Sequence, residues 1–101
     1  MVEEQIAQIG IDDKGRLFVQ PEEQDFPYIY RAAMEVRWDS AGRKLISPKP
    51  REWSYLDWFR QIVAAAADEY GVYLKVGPRT TWIDIPEDLR REIESIKAPP
   101  K

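Results

Sequence analysis

The stretch from Ser54 to Gly71, SYLDWFRQIVAAAADEYG, leaves this chain less choice than any other. Ser54 is suited to the N-cap, where its hydroxyl accepts an orphan amide hydrogen, and Asp57 three residues on favours the positive end of a helix dipole. Gly71 supplies a left-handed stop, so the pattern predicts a helix running to Tyr70. At about 100° per residue, Tyr55, Leu56, Phe59, Val63, Ala66, Ala67 and Tyr70 share one arc, which Trp58, Ile62 and Ala65 widen to roughly 200°. A helix lying on a single sheet needs about half of that, so something else must cover the remainder. The candidates are a second helix, the Pro-rich connector carrying Trp53, a ligand, or another copy of the chain.

The elements around this helix follow from period and punctuation. Residues 5–20 form two apolar runs joined by Asp12-Asp13-Lys14-Gly15, where Gly15 can take the positive φ of a tight turn, and a hairpin is expected. Pro21 and the polar run Glu22 to Asp25 end it. From Tyr28 to Trp38 large apolar and polar residues alternate, which predicts a strand with Tyr28, Tyr30, Ala32, Met34, Val36 and Trp38 on its core face. Asp39-Ser40-Ala41-Gly42 turns the chain into Lys44 to Ser47 as a second hairpin. The prolines of Ser47-Pro48-Lys49-Pro50-Arg51 allow only an extended connector. After the long helix, Val72 to Val76 reads as a strand and Thr81 to Ile85 as a further short one. Pro86 opens a last helix with Leu89, Ile93 and Ile96 in one stripe and Glu87–Arg91 and Arg90–Glu94 paired at four-residue spacing. The expected fold class is therefore α+β. A mostly antiparallel sheet, built from two N-terminal hairpins plus one or two later strands, carries the long aromatic helix and a shorter C-terminal helix. Residues 1–97 are expected to make one domain and 98–101 a frayed tail.

Cysteine and histidine are both absent from the 101 residues. That excludes disulfides, thiolate nucleophiles, imidazole bases and Cys or His zinc sites, and no cofactor or metal site is expected. Glu22, Glu23 and Asp25 lack the ligand spacing of a calcium loop. The acidic start MVEEQIAQIG has no secretory pattern and no apolar run reaches the length of a membrane span, so a cytoplasmic protein without a membrane partner is expected. Arg43, Lys44, Lys49 and Arg51 beside Trp53 form a basic-aromatic cluster of the kind that binds single-stranded nucleic acid. The net charge of −3 argues against such a partner.

Two sites remain. Apolar aromatic walls with a few polar groups suit a small-molecule pocket, for which Tyr30, Arg37, Arg51, Trp53 and Tyr55 are the candidates. The surplus arc of the helix, at Trp58, Ile62 and Ala65, is the candidate interface for a homo-oligomer, because tryptophan and tyrosine serve surfaces where one end stays wet. Catalysis would have to use a carboxylate such as Glu52 or Asp57 with Tyr55 or Arg60. No catalytic residue is assigned.

The segments PREWSYLDW and DEYGVYL, within the run from Ser47 to Glu94, resemble the small proteins encoded on bacterial mobile integron gene cassettes. The resemblance implies an unusual α+β fold, homo-oligomerisation, and surface clefts open to small molecules or partner proteins. It carries no activity and no functional residues. Together these observations favour a non-enzymatic binding or interaction module that self-associates through its aromatic helix and presents a cleft near the connector. The alternatives are a small carboxylate enzyme and an inhibitor-like protein that sequesters a basic partner.

Overall fold

In a computed structural model, residues 2–96 are described; the tail expected to fray lies outside them. Six strands and two helices follow one another as β1 (Val2–Ile11), β2 (Leu17–Pro21), β3 (Arg37–Asp39), β4 (Lys44–Ile46), α1 (Tyr55–Tyr70), β5 (Val72–Lys75), β6 (Thr81–Ile83) and α2 (Glu87–Glu94). No helix among these residues is long and apolar enough to cross a membrane. The fold is α+β with one mixed sheet in the order β3-β4-β2-β1-β5, and β6 also pairs with β1. The pairings β1–β2, β2–β4 and β3–β4 are antiparallel, and those of β1 with β5 and β6 are parallel.

Both expected hairpins are present. The first turns through Asp12, whose carboxylate accepts the amides of Lys14 and Arg16 at 2.9 Å each, while Gly15 takes φ 78°. In the second turn the left-handed residue is Arg43, at φ 53°. Strand β1 is the hub. Lys75 stands opposite Gln5 and Thr81 opposite Gln8, so β5 and β6 follow one another along β1 and the chain between them bulges out. Thr80 closes that gap: its hydroxyl donates to the Ile6 carbonyl at 2.7 Å and accepts the Gly77 amide at 2.9 Å. Gly10 is hemmed in between two strands, because a Cβ there would lie 2.7 Å from the Ile83 carbonyl oxygen and 2.6 Å from the Phe18 ring.

The loop after β2 is held from two sides. Glu4 is buried in β1, and its carboxylate accepts the amides of Glu23 at 2.6 Å and Gln24 at 3.1 Å. The Arg43 guanidinium donates to the carbonyls of the same two residues at 3.0 and 3.3 Å and pairs with Asp25 at 3.0 Å. Every polar backbone group of residues 23 and 24 thus has a partner, as a loop pressed against a sheet requires.

Helix α1 starts and stops where its sequence dictates. Ser54 and Asp57 form a full capping box, and Gly71 adopts φ 66°. Helix α2 follows Pro86, buries Leu89 and Ile93, and carries its Arg91–Glu87 and Arg90–Glu94 pairs at 3.7 and 3.4 Å.

One expected element is corrected. Residues 28–36 are not a strand: they form a single 3-10 turn at Ile29–Arg31 followed by further tight turns, and β3 begins only at Arg37. Amides bond back three or four residues throughout, with Ile29 to Phe26, Arg31 to Tyr28, Ala32 and Ala33 to Ile29, and Val36 to Ala33. The buried residues are Phe26, Ile29, Ala33 and Val36, whereas Tyr28, Tyr30 and Met34 are exposed. Burial here has a helical period, and the apparent alternation came from large amphipathic rings that stay at the surface.

This segment also helps answer how the wide arc of α1 is covered. Besides the sheet, α1 packs against α2 and the Ile29 turn, and Trp53 of the connector lies against Trp58. Ile62, Val63, Ala65 and Ala66 all belong to one hydrophobic core with Ile29, Leu74, Leu89 and Ile93.

Candidate functional site

One concavity is an open groove of about 1000 Å³ lined by three separate segments. Ala33, Met34, Glu35 and Arg37 come from the tight turns and the start of β3. Pro48, Lys49, Arg51, Glu52 and Trp53 come from the extended connector, and Trp58 and Gln61 from the first turns of α1. The capping box fixes where α1 begins, and the prolines keep the connector extended, so the two together hold Trp53 over Trp58. The ring centroids are 4.7 Å apart with planes tilted by 45°.

Three features separate this groove from an ordinary solvated face. Met34 is 85% exposed and Trp53 44%, so apolar surface is left in water at its rim. Trp58 is only 8% exposed, and its buried indole N–H finds no hydrogen-bond acceptor among the described residues. Buried polar groups are nearly always partnered, which makes this donor an exception. The third feature is charge. Among the described residues Arg16, Arg31, Arg43, Arg79, Arg90 and Arg91 each pair with a carboxylate, but Arg37 and Arg51 of the groove, like Arg60, do not.

Of the five residues expected in a pocket, the fold gathers Arg37, Arg51 and Trp53. The other two are elsewhere. Tyr30 is an exposed ring beside Tyr28, at 6.4 Å between centroids, and Tyr55 donates its hydroxyl to the Gly15 carbonyl at 2.8 Å, tying α1 to the first hairpin turn. The three residues expected at an interface are inside the chain. Ile62 and Ala65 are 0% and 2% exposed and offer no surface to a second copy while α1 stays on its sheet. Trp58 instead forms a buried wall of the groove. Met34, Gln61 and Pro48 join the expected residues in the groove, and the spacing of Phe26, Ile29, Ala33 and Val36 is the sequence signal that places Met34 outward.

Several other sequence candidates are committed elsewhere. Asp57 spends its carboxylate on the Ser54 amide at 3.0 Å. The basic cluster divides, with Arg43 clamped to the 23–25 loop and Lys44 over the Phe18 ring at 4.7 Å. A second concavity of about 250 Å³ lies between α1, β5 and α2, lined by Phe59, Val63, Tyr73 and Ile93 among others. Its charged groups Glu3 and Lys75 already pair at 2.8 Å. Burial pushes the Tyr73 phenol above its ordinary range, with Lys75 opposing and Glu3 adding to the shift. Among the described residues no cluster of acidic side chains is arranged to hold a metal.

Comparison with known proteins gives one consistent relationship. The family model of integron cassette protein Hfx_Cass5 matches residues 4–80. A solved structure of integron cassette protein Hfx_Cass5, from the mobile metagenome of the North West Arm sewage outfall, is 52% identical over 93% of this chain and 94% of that one, with a TM-score of 0.48. No curated protein matches.

Proposed function

The chain belongs to the Hfx_Cass5 family of integron cassette proteins, and on that footing we propose that it is a non-enzymatic binding module whose site is the connector groove. The observation that carries this reading is the coincidence of exposed Met34 and Trp53 with Arg37, Lys49 and Arg51, cations that form no ion pair among the described residues, in one concavity. Ligand sites combine apolar walls with a few polar groups that fix orientation, and this groove has both. Catalysis asks for more. Glu52 stands in the groove, but Tyr55, one of the two partners expected for it beside Arg60, donates to Gly15, and the alternative carboxylate Asp57 caps its own helix.

The test is a thermal-shift screen of small metabolites on the wild type and on Trp53→Ala. Trp53 is exposed enough for its removal to leave the fold in place. A ligand at about 100 times its Kd adds roughly 2.7 kcal/mol of stability. In a domain of this size that raises Tm by on the order of 10 °C. The expected result is a compound that stabilises the wild type and not the variant. Light scattering on the same samples checks the competing occupant: a multimer that Met34→Glu dissolves would mean that a second copy fills the groove, and the small-molecule reading would fall.

A further inference from the structure

Resting on the reading of the groove as a binding site, we propose that its ligand is a planar aromatic molecule carrying a single carboxylate. Three observations point the same way. The first is the balance of charge along the wall. Arg37, Lys49 and Arg51 line the groove together with Glu35 and Glu52, and among the described residues none of the five is held in an ion pair. Three cations against two carboxylates leave one positive charge, which a monoanion neutralises and a dianion such as a phosphate ester overshoots.

The second observation is the unanswered donor. The Trp58 indole N–H is buried without an acceptor among the described residues, in the side chain that forms a wall of this groove. The nitrogen is shut off from solvent in the free protein, so an acceptor reaches it only with a small movement of the wall, and a carboxylate supplies that acceptor where an ammonium cannot. A guanidinium presents donors in a fork that matches a carboxylate, so Arg37 or Arg51 can hold one end of the anion. The third is the ring surface. Trp53 stands at the mouth, 44% exposed, with its ring against Trp58. A flat apolar body stacked beside it would cover surface that now faces water, and Met34 at the rim adds more.

An isosteric charge series tests this: 2-naphthoate, its neutral amide 2-naphthamide, and 2-naphthylmethylammonium. Each is titrated into the full chain while the four indole N–H signals are followed by 1H–15N correlation spectroscopy. The tryptophans are Trp38, Trp53, Trp58 and Trp82, and Trp→Phe variants at 38, 53 and 82 assign all four by elimination. We expect 2-naphthoate to move the Trp53 and Trp58 signals, with Trp58 shifting downfield as its proton gains an acceptor. Its affinity should exceed that of the amide by at least about tenfold, the worth of one charge-assisted hydrogen bond. The double variant Arg37→Gln/Arg51→Gln alters two exposed side chains and should erase that advantage without moving the spectrum of the free protein. If the amide or the ammonium moves the same two signals with equal or better affinity, the groove is a binding site but the anionic ligand is wrong. If the double variant leaves the advantage of 2-naphthoate intact, the assignment to these arginines is overturned. If no member of the series moves Trp53 or Trp58 up to its solubility limit, the aromatic ligand is overturned, and the thermal-shift screen decides the groove reading by itself.

Discussion

Replacing Glu4 by leucine should destabilise this protein far more than its place near the chain's start suggests. The side chain is 6% exposed, and one carboxylate oxygen accepts two amides, from Glu23 at 2.6 Å and Gln24 at 3.1 Å. Leucine has a similar reach and no acceptor. Orphaning a buried amide costs about 1–3 kcal/mol, and since these two bonds are only partly buried the lower half of that range applies, about 2–4 kcal/mol for the pair. Burying leucine returns roughly 1–2 kcal/mol of that, since the side chain gains apolar burial. The middles of the two ranges leave a net loss on the order of 1–2 kcal/mol, a sizeable share of the 5–15 kcal/mol typical of a domain. Glutamine keeps one carbonyl oxygen able to accept both amides and gives up only the charge, so Glu4→Gln should lose roughly half as much or less. Urea unfolding followed by tryptophan fluorescence measures both, and with slopes of about 1–3 kcal/mol per M the leucine variant should lose roughly 0.5–1 M of its midpoint. Amide exchange supplies the local readout. The protons of Glu23 and Gln24 should exchange much faster in Glu4→Leu while those of β2 stay protected. A leucine variant within about 0.5 kcal/mol of wild type, an effect no larger than that of an ordinary surface change, with slow exchange at both amides, would refute the claim that this carboxylate holds the loop.

Two further outcomes follow from the same packing and electrostatics. Trp58→Glu should give an unfolded or aggregated product instead of a folded monomer, because it buries an unpaired charge beside Phe59 and Ile62; circular dichroism with light scattering distinguishes the two. The Asp12 carboxyl feels burial, which raises its pKa, but the amides of Arg16 and Lys14 and the Arg16 guanidinium at 2.8 Å outweigh it and hold the pKa below its ordinary value of 3.8. A depressed carboxyl stabilises the folded state above the unfolded pKa and loses that contribution as pH falls through the folded one. Urea midpoints of wild type and Asp12→Asn should therefore differ most near neutral pH and converge as the solution is acidified below about pH 4, the ordinary aspartate value.

The sequence carried a good part of this architecture. Ser54, Asp57 and Gly71 set the ends of α1 through bonds made within a few residues of each other. The Asp12–Gly15 turn fixed the first hairpin in the same way, since Asp12 bonds only its near neighbours. Pro86 and the charge spacing after it were enough for α2. The segment 28–36 was illegible because Tyr28, Tyr30 and Met34 look like core residues and are not. Their alternation competed with the true spacing at Phe26, Ile29, Ala33 and Val36, and only the neighbours that bury those four decide between the two periods. The groove was half legible. Arg51 and Trp53 are close in sequence to the aromatic helix, and their chemistry could be named, whereas Met34 and Gln61 join them only through the fold.

Caps, turns and helix period are properties of neighbours in the chain, and the sequence by itself determined them. Tertiary structure alone decided that β5 and β6 line up along β1, that the surplus arc of α1 is covered by α2, Trp53 and the Ile29 turn, and that residues 33–37 come to line one groove with the connector and the start of α1. Those arrangements depend on which apolar surfaces meet across tens of residues, and hydrophobic burial is non-directional: it demands that the arc be covered and does not name the segment that covers it.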